Sequence, residues 1–151
     1  MFSSIVVGTD GSQTAGKAIL QAVDLALALR AKLHVVCAYE PVGGHRMVSD
    51  PGASASPEPV LAWQVNPLAE VEATLEAAAS QARAAGVAEV EIHARQGDAA
   101  DSILDVAEER GAELIIVGNK GMTGAERFLL GSVPNKVSHH APCSVLIIRT
   151  A

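Results

Sequence analysis

Two glycine-bearing segments near the end of the chain have the residue types of a phosphate-binding site. Gly118-Asn119-Lys120-Gly121 follows the apolar run Leu114–Val117, and after nine further residues Gly131-Ser132 opens a predicted helix. Backbone N–H groups at a glycine loop and at a helix N-terminus favour a bound anion. We expect Gly118 and Gly121 to adopt positive φ and allow close approach of a ligand. Gly131 and Ser132 are expected to present N–H groups to its phosphates.

A carboxylate, Asp10, follows the first apolar run of the chain, Ile5–Val7. In this position it can accept hydrogen bonds from a ribose diol, as acidic residues do in dinucleotide-binding folds. Alternatively, Asp10 caps the first predicted helix, although Ser12 is the expected N-cap. The first interpretation adds a ribose contact to the phosphate contacts.

Short apolar runs alternate with helical patterns, which predicts repeated βα units and a mostly parallel sheet. A run that alternates between apolar and polar residues, Val90–Arg95, is predicted to lie at a sheet edge. Continuous runs predict four strands covered on both faces: Ile5–Val7, Leu33–Ala38, Leu114–Val117 and Val145–Ile148. Helical periodicity covers about Gln13–Arg30, Pro67–Ala85, a segment from Asp98 to Gly111, and Ser132–His140.

Right-handed crossovers between these units predict an α/β fold of the Rossmann-like type, with an open five-stranded parallel sheet in the order 3-2-1-4-5 and helices on both faces. The switch point of this order falls between strands one and four. Ligands of such sheets bind beyond the carboxyl ends of the strands at that point. Asp10 and Gly118 both emerge there, so the two distant motifs are predicted to meet in one site.

Size and charge argue against several classes of protein. The chain has 151 residues, 49% of them hydrophobic, which fits one domain over residues 1–151. A net charge of −6 without a cluster of Lys and Arg argues against a nucleic-acid partner. Because no apolar stretch reaches the roughly 18 residues that span a bilayer and no basic leader is present, we expect a cytoplasmic protein without a membrane partner. Cys37 and Cys143 are expected to be free, buried thiols.

A long connection, residues 41–66, separates the second strand from the second helix and is interrupted by Gly and Pro. A structureless loop of about 25 residues is uncommon in a compact domain and is usually functional or mobile. We expect a mobile loop that flanks the base of a bound nucleotide. A surface insertion that packs Trp63 onto the core is an equally good alternative.

A rival phosphate motif overlaps the first helix. Gly11–Ala18 matches the P-loop pattern except at its last position, where Ala18 has no hydroxyl to bind Mg²⁺. Gly16 and Lys17 also fit the first turns of the helix. We therefore expect no working P-loop, whereas Lys120 and Lys136 can neutralise phosphate charge.

The histidines offer little chemistry. His34, His45 and His93 are scattered along the chain, so we expect no metal site. His139 and His140 are expected to be helix-end residues, because a helix C-terminus favours a cation. No nucleophile with a supporting base can be named, and we predict no catalytic residues.

The spacing G-x2-G-x9-G-[S/T] from Gly118 to Ser132 resembles the nucleotide-binding signature of the universal stress protein family, in its ATP-binding branch. The resemblance extends from Ile5–Ser12 to Ser144–Ile148. It implies that Asp10 contacts the ribose, that Gly8 and Thr9 lie beside the base, and that Ala38 lies against the adenine. It also implies a pocket wall formed by Val117, Gly118, Asn119, Lys120, Gly121, Gly131, Ser132 and Val133.

The predicted function on this resemblance is ATP binding for a signalling or stress-survival role, with Mg²⁺ accompanying the nucleotide. Cyclic AMP is an alternative ligand, since some members of the family bind it. The N–H groups of the two glycine segments exceed the needs of one phosphate, which favours ATP. A weak ATPase or phosphotransferase is the alternative activity; no base or metal carboxylate near the loop supports it.

The last strand, about Ser144–Arg149, is predicted to lie at the second edge of the sheet. Val145–Ile148 carries no charge, proline or bulge signal that would protect an edge from pairing. Isologous pairing with a second copy would cover it. Members of the family commonly dimerise in this region, so the resemblance also implies a homodimer.

Overall fold

A computed structural model of the protein describes residues 2–39, 67–119 and 131–150. These residues form five strands and four helices in strict alternation. The strands are β1 Ser4–Gly8, β2 Lys32–Tyr39, β3 Val90–Gln96, β4 Leu114–Gly118 and β5 Ser144–Ile148, and the helices are α1 Gln13–Leu29, α2 Pro67–Ala85, α3 Ala99–Glu109 and α4 Ser132–His140. The predicted segments are confirmed to within one or two residues at most ends. The predicted loop 41–66 lies outside the described residues.

All neighbouring strands pair in parallel, in the order β3-β2-β1-β4-β5. This confirms the predicted sheet and places β3 and β5 at its edges. β1 lies at the switch point, with Gly8 opposite Val36 of β2 and Val7 opposite Ile116 of β4. The carboxyl ends of β1 and β4 therefore open side by side.

Apolar side chains project from both faces of the sheet. This explains why apolar and polar residues do not alternate along the central strands. Ile5 and Val7 pack with buried residues of α1 and α2 on one face. Val6 packs with Val106 of α3 and Val137 of α4 on the other. Two buried exceptions interrupt this apolar interior in β2 and β3: His34 and His93.

Side-chain caps fix where two of the helices begin. Ser12 Oγ accepts the Ala15 N–H at 3.1 Å, as predicted, and Asp98 Oδ2 accepts the Asp101 N–H at 3.0 Å. Cys37 and Cys143 are free thiols; Cys37 is buried, whereas Cys143 is only half-buried. No helix in the described parts of the chain has both the length and the apolar character to cross a bilayer.

Candidate functional site

A cleft lies where the carboxyl ends of β1 and β4 meet the N-terminus of α4. The cleft is open to solvent, and its enclosed volume is about 110 Å³. Twelve described residues line it: Gly8, Thr9, Asp10, Ala15, Ala99, Ile103, Val117, Gly118, Gly131, Ser132, Val133 and Pro134. The switch point of the sheet thus carries a cleft, as the topology predicts.

The cleft brings together eight of the residues that the sequence nominates: Gly8, Thr9, Asp10, Val117, Gly118, Gly131, Ser132 and Val133. Ala38, at the end of β2, and Asn119 are not among the lining residues. Lys120 and Gly121 lie outside the described residues.

The N-terminus of α4 has no side-chain cap, because its N-cap residue is Gly131. The N–H of Gly131 donates to the Asn119 carbonyl at 3.0 Å, so the prediction that it faces a phosphate is wrong. Pro134 has no N–H, and the Asn135 N–H donates to the Gly131 carbonyl at 3.1 Å. The donors that the first turn offers to a ligand are the backbone N–H groups of Ser132 and Val133, which have no partner within the helix. The Ser132 hydroxyl can add to them.

The two glycines that end β1 and β4 keep the cleft open for different reasons. Gly118 is the last residue of β4 and pairs with Ile148 in extended conformation. The prediction that it adopts positive φ is therefore wrong, and its contribution is the absence of a side chain. At Gly8 a Cβ would overlap Ile103 Cδ1, so a larger residue there would displace this side chain of α3.

Asp10 is exposed and is one of the cleft-lining residues. Its Oδ1 accepts the Ser12 N–H at 2.9 Å, and Thr9 Oγ1 accepts the Gly11 N–H at 3.1 Å. Gly11 has a φ of +83°, a conformation that residues with a side chain rarely adopt. The glycine therefore permits the short turn that connects β1 to α1. The capping side chain of α1 is that of Ser12. The alternative that Asp10 is the helix cap is therefore wrong, although its carboxylate stabilises the turn.

Asn119 has a role that sequence reasoning missed. Its Oδ1 accepts the Thr150 N–H at 2.9 Å and the Thr150 hydroxyl at 3.0 Å, and its N–H donates to the Ile148 carbonyl at 2.9 Å. Its carbonyl accepts the Gly131 N–H. Asn119 therefore joins the end of β4, the chain after β5 and the start of α4, and it positions the cleft without lining it.

Two lysines that were candidate phosphate ligands have other partners. Lys17 Nζ donates to the Thr150 carbonyl at 3.0 Å, which agrees with the prediction that the P-loop pattern does not function. Lys136 Nζ lies 2.9 Å from Asp101 Oδ1 and 3.4 Å from Asp98 Oδ2. Lys136 is thus paired with two carboxylates at the α3 N-terminus and is not among the cleft-lining residues, and its role at a phosphate stays a prediction.

Four lining residues were not nominated from the sequence: Ala15, Ala99, Ile103 and Pro134. Ala15 and Ala99 lie in the first turns of α1 and α3. The available signal was topological, because every helix that follows a strand of this sheet begins at the edge where ligands bind. Small residues in those turns leave room for a ligand without forming a motif.

The prediction that the histidines are scattered is wrong for two of them. His34 Nδ1 and His93 Nε2 are 3.0 Å apart, on adjacent strands and both buried. Burial lowers the pKa of His34 to about 4, and it also lowers the pKa of His93. Glu91 Oε1 lies 3.7 Å from His93 Nε2. This group is separate from the cleft lining.

The chain resembles known proteins along nearly its whole length. The sequence model of the universal stress protein family matches residues 1–149. Universal stress protein YxiE of Bacillus subtilis is 36% identical over 153 aligned residues, covering 99% of this chain and 100% of that protein. Universal stress protein Rv1636 of Mycobacterium tuberculosis is 34% identical over 149 residues, covering 99% of this chain and 97% of the relative.

Solved structures agree. A universal stress protein in complex with cAMP is 33% identical, with a TM-score of 0.72 and coverage of 99% of this chain and 98% of that one. The universal stress protein from Archaeoglobus fulgidus in complex with dAMP is 26% identical, with a TM-score of 0.66 and coverage of 97% and 98%. Sequence, fold and cleft lead to one conclusion: this chain belongs to the universal stress protein family.

Proposed function

We propose that the cleft binds an adenine nucleotide and that binding, rather than turnover, is its function. The observation that carries the proposal is the uncapped N-terminus of α4, which shares one cleft with Asp10. The helix end supplies N–H donors and a positive dipole end for a phosphate. The carboxylate supplies acceptors for a ribose diol. A nucleotide needs both kinds of contact.

Each part of the ligand has a matching set of residues. The phosphate nearest the ribose is placed on the N–H groups of Ser132 and Val133, and the ribose on Asp10. The base is placed beside Gly8 and Thr9, with Ala38 beyond them on β2. ATP is the ligand that the G-x2-G-x9-G-S spacing predicts, with Mg²⁺ bound to its phosphates. Relatives solved with cAMP and dAMP support the adenine nucleotide as the class.

Cyclic AMP is the second candidate, and one observation favours it. The N–H groups of Asn119 and Gly131 are both engaged by the protein, which leaves Ser132 and Val133 as the phosphate donors of the described cleft. Two N–H groups suit a single phosphate. The solved relative at 33% identity that holds cAMP supports the same ligand.

The test is titration of ligand-free protein with ATP, cyclic AMP and GTP, compared with an Asp10→Asn variant. We expect both adenine nucleotides to bind and the variant to lose about tenfold in affinity, because the neutral amide accepts more weakly from the ribose diol. Asp24→Asn is the matched control, since Asp24 is also exposed but lies in the middle of α1. Absence of binding of both adenine nucleotides at 1 mM, on the order of the weakest useful affinity, would reject the proposal.

A binding role also predicts negligible hydrolysis. Asp10 is the one carboxylate among the described lining residues, and it is assigned to the ribose. Phosphate release with Mg²⁺ present should stay below about 1 per second, at the low end of typical enzymes. Faster release that disappears in Gly131→Val would instead assign an ATPase or phosphotransferase to this cleft.

The protein is further proposed to form a homodimer through β5. This strand pairs only with β4 in the described chain, and Val145 to Ile148 are half-exposed. The Ile148 carbonyl accepts the Asn119 N–H, so the backbone groups of Ile148 face β4. Because successive residues of a strand direct their backbone groups to opposite sides, the N–H and carbonyl of Ile147 face the open edge. Light scattering should give twice the 15.5 kDa chain mass. Ile147→Pro should give the single-chain mass, because proline removes an edge donor; Ser144→Ala is the control.

A further inference from the structure

Three side chains with metal-ligating atoms converge on one face of the sheet, between β2 and β3. His34 of β2 lies opposite Glu91 of β3, and Val36 lies opposite His93. Residues two apart on a strand share a face, so His34, Glu91 and His93 project together. Their ligand atoms all lie within 4.8 Å of one another, and no other trio of His, Cys, Asp or Glu in the described chain meets that condition.

The spacing of these atoms is close to that of a tetrahedral metal site. Metal bonds of about 2.0–2.2 Å to nitrogen and oxygen, at tetrahedral angles, set neighbouring ligand atoms about 3.3 Å apart. The distance from His34 Nδ1 to His93 Nε2 is 3.0 Å, and that from His93 Nε2 to Glu91 Oε1 is 3.7 Å. One value is slightly short and the other slightly long, so small side-chain rotations are enough to admit an ion.

The protonation state of the imidazoles also suits a metal. His34 is 2% exposed and His93 is 6% exposed, and burial lowers the pKa of both rings, so both are neutral at neutral pH. Neutral imidazole is the form that ligates metals. In the metal-free protein the facing nitrogens share one hydrogen. Ligation needs the tautomers in which both rings carry their hydrogen on the outward nitrogen.

Two cations compete for the carboxylate, but each leaves access to it. Lys32 Nζ lies 2.7 Å from Glu91 Oε2, whereas the Glu91 oxygen that lies 3.7 Å from His93 Nε2 is Oε1. Arg110 Nη2 lies 3.2 Å from Oε1, and its side chain is 43% exposed. The guanidinium can therefore move into solvent when an ion takes its place. Glu91, 34% exposed, gives the ion a route from solvent.

We propose that His34, Glu91 and His93 bind a divalent transition-metal ion of the zinc class, at a site separate from the nucleotide cleft. Two imidazole nitrogens and one carboxylate oxygen form the His₂Glu donor set that zinc accepts, with a fourth position for water. Imidazole selects this class over Mg²⁺ and Ca²⁺, which prefer oxygen ligands. The site requires no nucleotide.

The test is calorimetric titration of chelator-treated, nucleotide-free protein with Zn²⁺, together with Co²⁺ absorption spectra as a report of tetrahedral coordination. We expect one site per chain. His93→Gln should weaken it at least about 30-fold, because the amide can keep the hydrogen bond to His34 but ligates poorly. The double variant His139→Gln and His140→Gln is the matched control, since this exposed pair could bind zinc by itself.

Two half-exposed positions keep the proposal testable if His93→Gln fails to fold. Glu91→Gln should weaken Zn²⁺ binding about tenfold, whereas Arg110→Gln should tighten it several-fold by removing the competing cation. A purely structural histidine pair would show neither change. Absence of Zn²⁺ binding, or binding that survives Glu91→Gln and disappears in the His139/His140 double variant, would overturn the proposal.

Discussion

The proposed nucleotide cleft and the histidine cluster, His34, Glu91 and His93, occupy one sheet but are built from different parts of the chain. The cleft presents backbone N–H groups, an exposed carboxylate and glycines at strand ends, brought together from segments that are distant in sequence. The cluster consists of two buried histidines, 59 positions apart in sequence, and the half-exposed Glu91. The first is made by segments that leave the strands at the switch point, and the second by the register of two strands.

This difference determines what each region tolerates. The cleft depends on empty space, so adding a side chain should weaken ligand binding more than removing one. The cluster depends on matched partners in a buried setting, so a proton or a missing partner should harm it most. Four predictions test this contrast.

The largest effect is expected from acid on the cluster. In metal-free protein with a chelator, the His34 pKa of about 4, against 6.5 for an unperturbed histidine, means that the unfolded state binds the proton more tightly. The stabilisation is complete above pH 6.5 and is lost as the pH falls towards 4. At pH 4.5 the loss is about 2–3 kcal/mol.

Urea unfolding at pH 7 and pH 4.5 measures this loss, with His34→Gln as the control. Burial, together with His93, Lys32 and Arg110, lowers the His34 pKa, whereas Glu91 raises it. Carboxylates elsewhere also titrate in this range, so the informative quantity is the difference between wild type and variant. An equal loss in both proteins would show that His34 is not the group responsible.

Added volume at the helix start should have the next largest effect. Gly131 has a φ of −62°, which valine also adopts, so Gly131→Val should fold. Its side chain would cover the N–H groups of Ser132 and Val133 and weaken nucleotide binding by at least about 2 kcal/mol, or 30-fold. Gly16→Ala is the control, because a Cβ there meets nothing within 4 Å. If calorimetric titration shows unchanged affinity for Gly131→Val, the phosphate does not bind at the N-terminus of α4.

The same contrast explains what the sequence could predict. Helix and strand segments follow from local periodicity, and the sheet order follows from the handedness of crossovers, so both were predictable. Four cleft residues, Asp10, Gly118, Gly131 and Ser132, followed from motifs at strand and helix ends, which the topology places. The other four, Gly8, Thr9, Val117 and Val133, followed from the family resemblance. Ala15 and Ala99 were missed because small residues in a first turn carry no motif.

Interactions across strands could not be predicted in the same way. The pairing of His34 with His93 needs the register of β2 on β3, and a shift by one residue would turn one ring to the other face. The N–H of Gly131 was assigned to a ligand because its partner, the Asn119 carbonyl, is set by the tertiary structure and by no local pattern. Both errors concern a partner that is distant along the chain.

A smaller effect is expected at the contact that positions the cleft. The Thr150 hydroxyl, in a residue that is 1% exposed, donates to Asn119 Oδ1 at 3.0 Å. Thr150→Val keeps the shape and the N–H contact but removes this hydrogen bond, so the free energy of unfolding should fall by about 1 kcal/mol. Thr150→Ser keeps the hydroxyl and is the control. If the serine variant loses as much stability as the valine variant, packing of the methyl group matters rather than the hydrogen bond.

The smallest difference is expected between ATP and cyclic AMP. Both ligands share the base, the ribose ring and one phosphate, and the described donors of the cleft, the N–H groups of Ser132 and Val133, suit one phosphate. Cyclic AMP has lost the 3′ hydroxyl that Asp10 can accept from, whereas ATP brings more charge to a chain of net charge −6. These costs oppose each other, so the two affinities should differ by less than about tenfold, or 1.4 kcal/mol. Parallel titrations, with and without Mg²⁺, measure the ratio of the two affinities.

If ATP binds more than tenfold tighter, the phosphates beyond the first have donors of their own. If cyclic AMP binds more than tenfold tighter, charge repulsion matters more than the ribose contact.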